Sequence, residues 1–416
     1  MVVSRSTVRD LRRRNRRVAL QRLYVDGRMS RLEMSQRSSL SAATVTNVVA
    51  ELLAKGIVFE AGSEESEGGR PRTILAINPE YGYFIGVDVG ETFVCIELFD
   101  LTLRSLRTAT HPLTPDDNQP SSVVRHIVAG VDTVLASAAI PASKVVGIGV
   151  GVPGVVERAG RVLVHAPSWG WRAVPLMDML AERITLSIAL DNGAKAMAQA
   201  ELWFGAGRGM NDLAVLLIGT GIGAGIITQG ALYCGATNGA GEWGHTTLAL
   251  DGRPCRCGSH GCLEAYAGAA GIMASLREAS PRSPLIGDDD NQEGTITALV
   301  AAAQRGDPSA IRVLEDITRY LGAGIANLIN LFNPQRIVIG GWVGQHIGPY
   351  ILPRLREVVD RYALGQPLAA TGIVLGQLGQ DAVAMGAATL ALDVFLTEVG
   401  DDRVRRARRL AARASA

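Results

Sequence analysis

Three cysteines and a histidine stand close together in the middle of this chain. Cys255, Cys257 and Cys262 fall within eight residues, and His245 lies ten residues upstream of the first. Three thiolates and one imidazole are the ligand set of a closed tetrahedral zinc site, which needs four soft-to-borderline donors. Four protein ligands leave no coordination position for an activated water, so the expected zinc is structural. The glycines at 258 and 261 let a short loop fold back so that the sulfurs converge. Two carboxylates, Glu242 and Glu264, bracket the cluster, and the metal needs neither. Beside a rigid metal knot they are placed to accept hydrogen bonds from a polyol.

The chain that must position these groups has 416 residues, enough for two or three domains. Hydrophobic residues make up 47% and charged residues 19%, which describes a well-packed globular protein. The net charge of +1 gives no global pull toward nucleic acid or membrane. No uncharged apolar run reaches the ~18 residues that read as a membrane span. The basic N-terminal residues lead into no apolar run, so they do not read as a secretory signal. Five cysteines, three of them in a metal-type cluster, fit a reducing cytoplasm.

Charge is unevenly placed. Seven arginines crowd residues 1–17, as a basic arm or the start of a helix, and Arg403 to Arg413 form a basic tail. Leu11 to Val25 shows apolar residues at helical spacing, broken by Asp26-Gly27. Ser30 caps a short helix, Arg31 to Arg37, and Ser38-Ser39-Leu40 makes a turn. Ser41 caps the next helix, Ala42 to Lys55, with Val45, Val48, Val49, Leu52 and Leu53 turned inward. The opposite face carries Ser41, Ala42, Thr44, Thr46 and Asn47, small and hydrogen-bonding residues suited to a major groove. Strands Ile57–Glu60 and Thr73–Ile77 flank a polar loop ending in Arg70, Pro71 and Arg72. The pattern is a helix-turn-helix with a β-wing; a protein-binding adaptor of three helices would share most of it.

Glu242-Trp243-Gly244-His245, followed by Cys255-x-Cys257-Gly-x-x-Gly-Cys262-x-Glu264, resembles the signature of the ROK family of repressors, open reading frames and sugar kinases. The resemblance runs from about residue 5 to residue 395. It implies that Glu242, His245 and Glu264 bind sugar hydroxyls and that His245 and the three cysteines bind zinc. It also implies a wing in which Arg70 and Arg72 reach a minor groove.

Other landmarks resemble the kinases of the family less closely. Tyr83 to Phe99 reads as a β-hairpin, either plain or, as in kinases, offering backbone N–H groups to ATP phosphates from Asp88, Gly90 and Thr92. Where kinases carry a second glycine this chain has Glu91, an anion facing any polyphosphate. Lys144 to Val150 is a buried strand, and the Gly154 loop and Ser168 fall in a sugar-binding region where kinases place an asparagine. Trp169 or Trp171 could stack on a sugar ring or pack in a core. After a strand at Ile184 to Leu190, Asn192 aligns with a sugar-binding asparagine. Gly193 then falls on the aspartate that serves kinases as general base, and glycine cannot accept a proton. Asp191, two residues earlier, is ~6–7 Å out of place on a strand. Thr220, Gly221 and Gly223 match the second phosphate loop, a turn that the hairpin needs in any case, and Gly340-Gly341 match an adenosine-side turn.

The expected fold is α/β: a winged helix-turn-helix, then a two-lobed actin-like ATPase (ribonuclease H-like) sugar-kinase body. The expected division is 1–79 for DNA binding, 80–205 for the first lobe with a helix returning at about 382–397, 206–381 for the second lobe with zinc, and 398–416 for the tail. The expected function is a sugar-responsive, non-enzymatic DNA-binding regulator, a repressor of carbohydrate-utilisation genes. It would act in the cytoplasm as a homodimer or homotetramer on palindromic operator DNA, away from membranes. The alternative is an ATP-dependent sugar kinase carrying a DNA-binding domain.

Overall fold

A computed structural model describes residues 7–66, 69–286 and 291–399. The basic tail Arg403 to Arg413 and the first six residues lie outside that set, as does the side chain of Arg70.

The chain opens with α1 (Val8–Asp26), α2 (Arg31–Ser38) and α3 (Ala42–Ala54). Their ends follow local chemistry. Thr7 and Asp10 form a capping box on α1, and Ser30 and Glu33 form one on α2. The Ser41 hydroxyl accepts from the Thr44 N–H to start α3. Ser39 takes the left-handed conformation, φ 58°, in the turn where a glycine is more usual. Strands β2 (Val58–Ser66) and β3 (Gly69–Ile77) pair as the wing, with β1 (Met29–Ser30) on the far side of β3. The wing strands therefore run well into what reads as a loop, with pairs Ser63–Thr73, Glu64–Arg72 and Ser66–Gly69 and register shifts along the ribbon.

Two larger sheets follow. The first is built from β4 (Tyr83–Val89), β5 (Phe93–Asp100), β6 (Ser105–Pro112), β7 (Val145–Val152) and β11 (Ile188–Asn192), in the order β11-β7-β4-β5-β6. The second contains β12 (Leu213–Ile218), β13 (Ile222–Thr228), β14 (Ala231–Leu232), β15 (Arg336–Gly340) and β16 (Gly372–Leu375), in the order β14-β13-β12-β15-β16. In each, three consecutive antiparallel strands are extended by two parallel ones. One topology thus occurs twice, as in an actin-like body. A small sheet of β8 (Val155–Ala159), β9 (Arg161–Ala166) and β10 (Trp171–Val174) replaces the expected open loop. Strand β11 starts four residues later than expected from Ile184, which instead packs below α5 (Leu176–Ala181).

Helices α4 (Pro120–Ala138) and α6 (Gly193–Phe204) belong with the first half. The second carries α7 (Glu264–Ala267), α8 (Ala269–Ala279), α9 (Gln292–Gln304), α10 (Pro308–Phe332), α11 (Gly341–Tyr362) and α12 (Gly365–Ala369). Helix α11 carries Pro349 and Pro353 inside it. The last helix, α13 (Ala382–Glu398), returns to the first sheet. It lies so close that a Cβ on Gly86 or Gly149 would stand 1.9 or 1.7 Å from a helix carbonyl oxygen, so only glycine allows this packing.

Leu20, Leu23 and Tyr24 of α1 share one continuous apolar core with Phe84, Leu392 and Phe395. Polar contacts reinforce the seam. The Tyr24 hydroxyl donates to the Leu101 carbonyl at 2.6 Å, Arg17 pairs with Asp393 at 2.6 Å, and Arg208 donates to the Val25 carbonyl at 2.6 Å. Arg16 is buried and pairs with Glu51 of α3. Of the two readings of the basic N-terminal run, the start of a helix is the one seen: Arg16 and Arg17 lie on α1, Arg16 buried and Arg17 partly exposed at the seam.

Candidate functional site

A cleft of about 400 Å³ opens between the two large sheets. The turn joining β4 to β5 and the turn joining β12 to β13 both line it, as do the first residues of α6 and α11. The volume suits a monosaccharide-sized ligand.

One wall is the segment from Gly241 to Glu264. Trp243 anchors it, buried, with its indole N–H donating to the Gly324 carbonyl of α10 at 3.1 Å. Gly261, at φ 70°, packs against the Ala249 carbonyl oxygen, from which a Cβ would stand only 1.7 Å, so only glycine fits there. Bridges Thr247–Cys262 and Pro254–His260 close the loop. His245, Cys255, Cys257 and Cys262 meet there, with all four ligand atoms within 4.8 Å of one another. The Cys257–Cys262 sulfur pair is 3.8 Å apart and the Cys255 sulfur is 3.7 Å from His245 Nδ1. A tetrahedron with ~2.3 Å metal–sulfur bonds has edges of about 3.75 Å, so this donor set fits a metal ion. Burial pushes the Cys255 thiol up to about 12 and raises that of Cys262, so a cation is what makes their thiolates favourable.

Glu242 and Glu264 flank this knot and line the cleft with His245. Burial raises the carboxyl of Glu242. Glu264 opens α7, and its Oε2 accepts from the Ile222 N–H at 2.8 Å. Between the first two cysteines, Arg256 reaches out of the loop. Its guanidinium pairs with Glu264 at 3.3 Å, donates to the Thr220 carbonyl at 3.3 Å, and pairs with Glu91 of the opposite sheet at 2.6 Å.

Across the cleft, Asn192 caps α6: its Oδ1 accepts from the N–H groups of Ala194 and Lys195, and its Nδ2 donates to the Gly154 carbonyl. That leaves one amide hydrogen for a ligand. Gly154 and Ser168 also line the cleft. Gly193 is the first residue of α6 and faces the cavity, and a Cβ there would be no nearer than 3.4 Å to any neighbour. Asp191, two residues earlier, is engaged within the protein. It is buried, paired with Arg158 at 3.0 Å, and accepts from Asn238 at 3.0 Å and from the Asn192 N–H at 2.8 Å.

Asp88, Gly90 and Thr92 line the cleft from the first hairpin, and Thr220, Gly221, Gly223 and Gly341 line it from the second half. Gly340 sits behind, against Met197, and is not part of the lining. Burial raises Asp88 to about 7, with Asp381 adding to the shift. The sugar-stacking option for the tryptophans is corrected by the structure. Trp171 is buried with its indole N–H on the Asn118 carbonyl, Trp169 packs edge-on against it, and neither lines the cleft.

At the other end of the molecule, α3 turns outward. Ala42, Thr46 and Asn47 are exposed, while the hydroxyls of Ser41 and Thr44 bond to each other at 2.9 Å and that of Thr46 returns to the Ala42 carbonyl. Asn47 is therefore the amide best placed to read a base edge. Arg72 is exposed on β3.

Sequence reasoning missed Arg256, Arg158 and Asn238. Their partners lie 165, 33 and 47 residues away, so no local pattern marks them. Glu91 was the visible half of one pair: an anion where a phosphate loop favours glycine needs a cation nearby.

Residues 84–394 match the ROK family. A xylose repressor of Caldicellulosiruptor bescii is 29% identical over 390 residues, covering 93% of this chain and 97% of the repressor. The crystal structure of a ROK family transcriptional regulator, a homologue of the Escherichia coli MLC protein, superposes with a TM-score of 0.76 at 26% identity. It covers 93% of this chain and 97% of that one. A ROK family glucokinase from Streptomyces griseus, solved with glucose and AMPPNP, gives 0.66 at 33% identity and covers 75% of this chain and 99% of the enzyme.

Proposed function

The chain belongs to the ROK family, and from that premise we propose that it is a sugar-responsive DNA-binding regulator, a repressor of carbohydrate-utilisation genes that transfers no phosphate. One observation carries the second half of this reading: the position of the general base is Gly193, and the neighbouring Asp191 is engaged by Arg158 and Asn238. The regulators align over 93% of the chain and the glucokinase over 75%, so what the kinase lacks corresponds in extent to the winged helix-turn-helix.

The division into 1–79, 80–205 with the returning α13, 206–381 and the basic tail is the working frame. In it, Glu242, His245 and Glu264 accept and donate hydrogen bonds to a sugar from one lobe, and Gly154, Ser168 and Asn192 do so from the other. His245, Cys255, Cys257 and Cys262 hold a structural zinc, which fixes the ring of His245 and the approach to Glu264. A ligand gripped from both sides favours one lobe spacing over another, and only that difference in affinity can move the protein. Movement of α6, which Asn192 caps at the cleft, is carried to α13 and hence to α1 through the shared core. Ser41, Ala42, Thr44, Thr46 and Asn47 meet the major groove, and Arg70 and Arg72 of the wing meet the minor groove. In a homodimer or homotetramer, two such units read a palindrome with half-sites ~34–36 Å apart or a multiple of that, so a small change in spacing lowers operator affinity. Among the described residues no helix is long and apolar enough to cross a membrane, in keeping with work in the cytoplasm.

The test is fluorescence anisotropy on DNA from upstream of its own gene, at fixed salt, titrated with sugars. Specific binding released by one sugar is the expected result. Absence of specific binding, or turnover of a sugar with ATP at ordinary kinase rates, would sink the reading. Asn47→Ala is expected to cost about 1–3 kcal/mol of operator affinity and to relax preference at one base pair, read as Kd across single-base operator variants.

A further inference from the structure

In this cleft the ground next to the glycine turns, where a phosphate would seek donors, is already occupied. Arg256 spans from the zinc loop to Glu91 across the cleft at 2.6 Å and to Glu264 on its own side at 3.3 Å. Both carboxylates are largely shielded, with side-chain exposures of 17% and 9%. Three amides of the turns are engaged within the protein as well. The Gly90 N–H donates to the Phe93 carbonyl, the Gly219 N–H to Gly221, and the Ile222 N–H to Glu264 itself. A Cβ on Gly221 would meet Glu264 Oε2 at 3.0 Å and Arg256 at 3.6 Å, so clasp and turn are in direct contact.

Charge points the same way. Among the described residues lining the cleft, Asp88, Glu91, Glu242, Glu264 and Glu293 are carboxylates, and Arg256 is the one guanidinium or ammonium group. Two carboxylates already share it. An incoming phosphate must displace Glu91 or Glu264 from Arg256 and then lie beside the carboxylate it displaced, which is unfavourable in a partly buried site. A neutral polyol meets no such opposition, because carboxylates accept its hydroxyl protons.

We propose that Arg256 and Glu91 form a clasp across the phosphate side of the cleft, which shuts out nucleotide and phosphorylated sugars and makes the effector an uncharged sugar. Arg256 acts as a positioning residue, holding the Glu264 carboxylate toward the ligand while tying the two sheets together. The ligand class rests on the sugar-responsive reading; the clasp does not.

The experiment is calorimetry on the full chain and on Glu91→Gln, which keeps the side-chain shape and removes the charge. The probes are Mg-AMPPNP, xylose, glucose, N-acetylglucosamine and the 6-phosphates of the last two. The native chain is expected to show no saturable AMPPNP binding, and to bind a free sugar more tightly than its phosphate. Glu91→Gln is expected to gain AMPPNP affinity by on the order of ten- to a hundredfold, from removing one charge ~5 Å from a phosphate. Its zinc content and melting temperature should match the native chain, which separates the charge effect from misfolding. AMPPNP binding to the native chain as tight as to Glu91→Gln overturns the clasp. A 6-phosphate bound as tightly as its parent sugar overturns the ligand class and leaves the sugar-responsive reading in force. Operator affinity unmoved by any sugar, with AMPPNP still excluded from the native chain alone, would sink that reading and the ligand class with it, and support the clasp.

Discussion

Along the wall from Gly241 to Glu264, Glu242, His245 and Glu264 present two carboxylates and an imidazole to the cleft, on a segment anchored by a buried tryptophan and carrying a four-residue His/Cys cluster that could hold a metal ion. The facing wall is built from the same topology, yet the two points that the resemblance to kinases singles out carry Gly193, with no side chain, and Glu91, already paired with Arg256. The backbone of that second wall is intact: the hairpin pairs in register from Tyr83–Asp100 to Val89–Val94, and α6 starts cleanly from Asn192. Holding a ligand and transferring phosphate to it are thus separable, because the first needs many modest contacts and the second needs one carboxylate at one place.

The contrast breaks most completely at the knot. Cys257→Ser is expected to abolish stoichiometric zinc and to destabilise the chain by several kcal/mol, with the sugar response lost at the same time. Metal analysis, thermal melts and operator anisotropy read the three effects, and normal zinc with normal induction would refute the assignment. Next in size is Asp88, on the opposite wall. Its folded pKa of about 7 lies above the unfolded value of 3.8, so the folded state holds a proton that the unfolded state releases. Stability should therefore fall between about pH 4 and pH 7 and level off above, and Asp88→Asn should recover up to about 4 kcal/mol at pH 8 and little at pH 4. Urea unfolding at the two pH values measures it. Glu264→Gln should weaken sugar binding by about 10- to 100-fold, since it turns charge-assisted acceptors into a neutral amide. An unchanged Kd would remove Glu264 from the sugar site. The smallest effect sharpens the comparison. Gly193→Asp has room for its side chain but should yield no phosphotransfer alone, because nucleotide is still shut out; detectable turnover should need Glu91→Gly as well. Coupled ADP release with both variants checks this, and turnover in the single variant would show that the base alone was missing.

Much of this was legible in the residues. The metal-type set and the helix-turn-helix are local patterns of spacing, and the α3 cap at Ser41 came with them, whereas the place of Gly193 rests on the family resemblance alone. The small β8–β10 sheet was not legible, because Gly154, Gly160 and Gly170 mark turns without saying that the segments between them pair. The clasp was half legible through Glu91. The roles of Trp169 and Trp171 were open, since only the fold decides that a large ring faces α4 and its approach and not the cleft.

The seam between α1 and α13 bears on how such proteins can be re-engineered. The reading head is not a bead on a string: Met34, Val45, Val49, Leu52 and Leu75 give it an interior, and Leu20, Leu23 and Tyr24 join that interior to the core that holds Phe84 and Phe395. Grafting it onto another sensor would require transplanting the outer face of α13, including the Asp393 partner of Arg17. Modularity in this architecture therefore resides in a helix pair from opposite ends of the chain, and the two ends must change together.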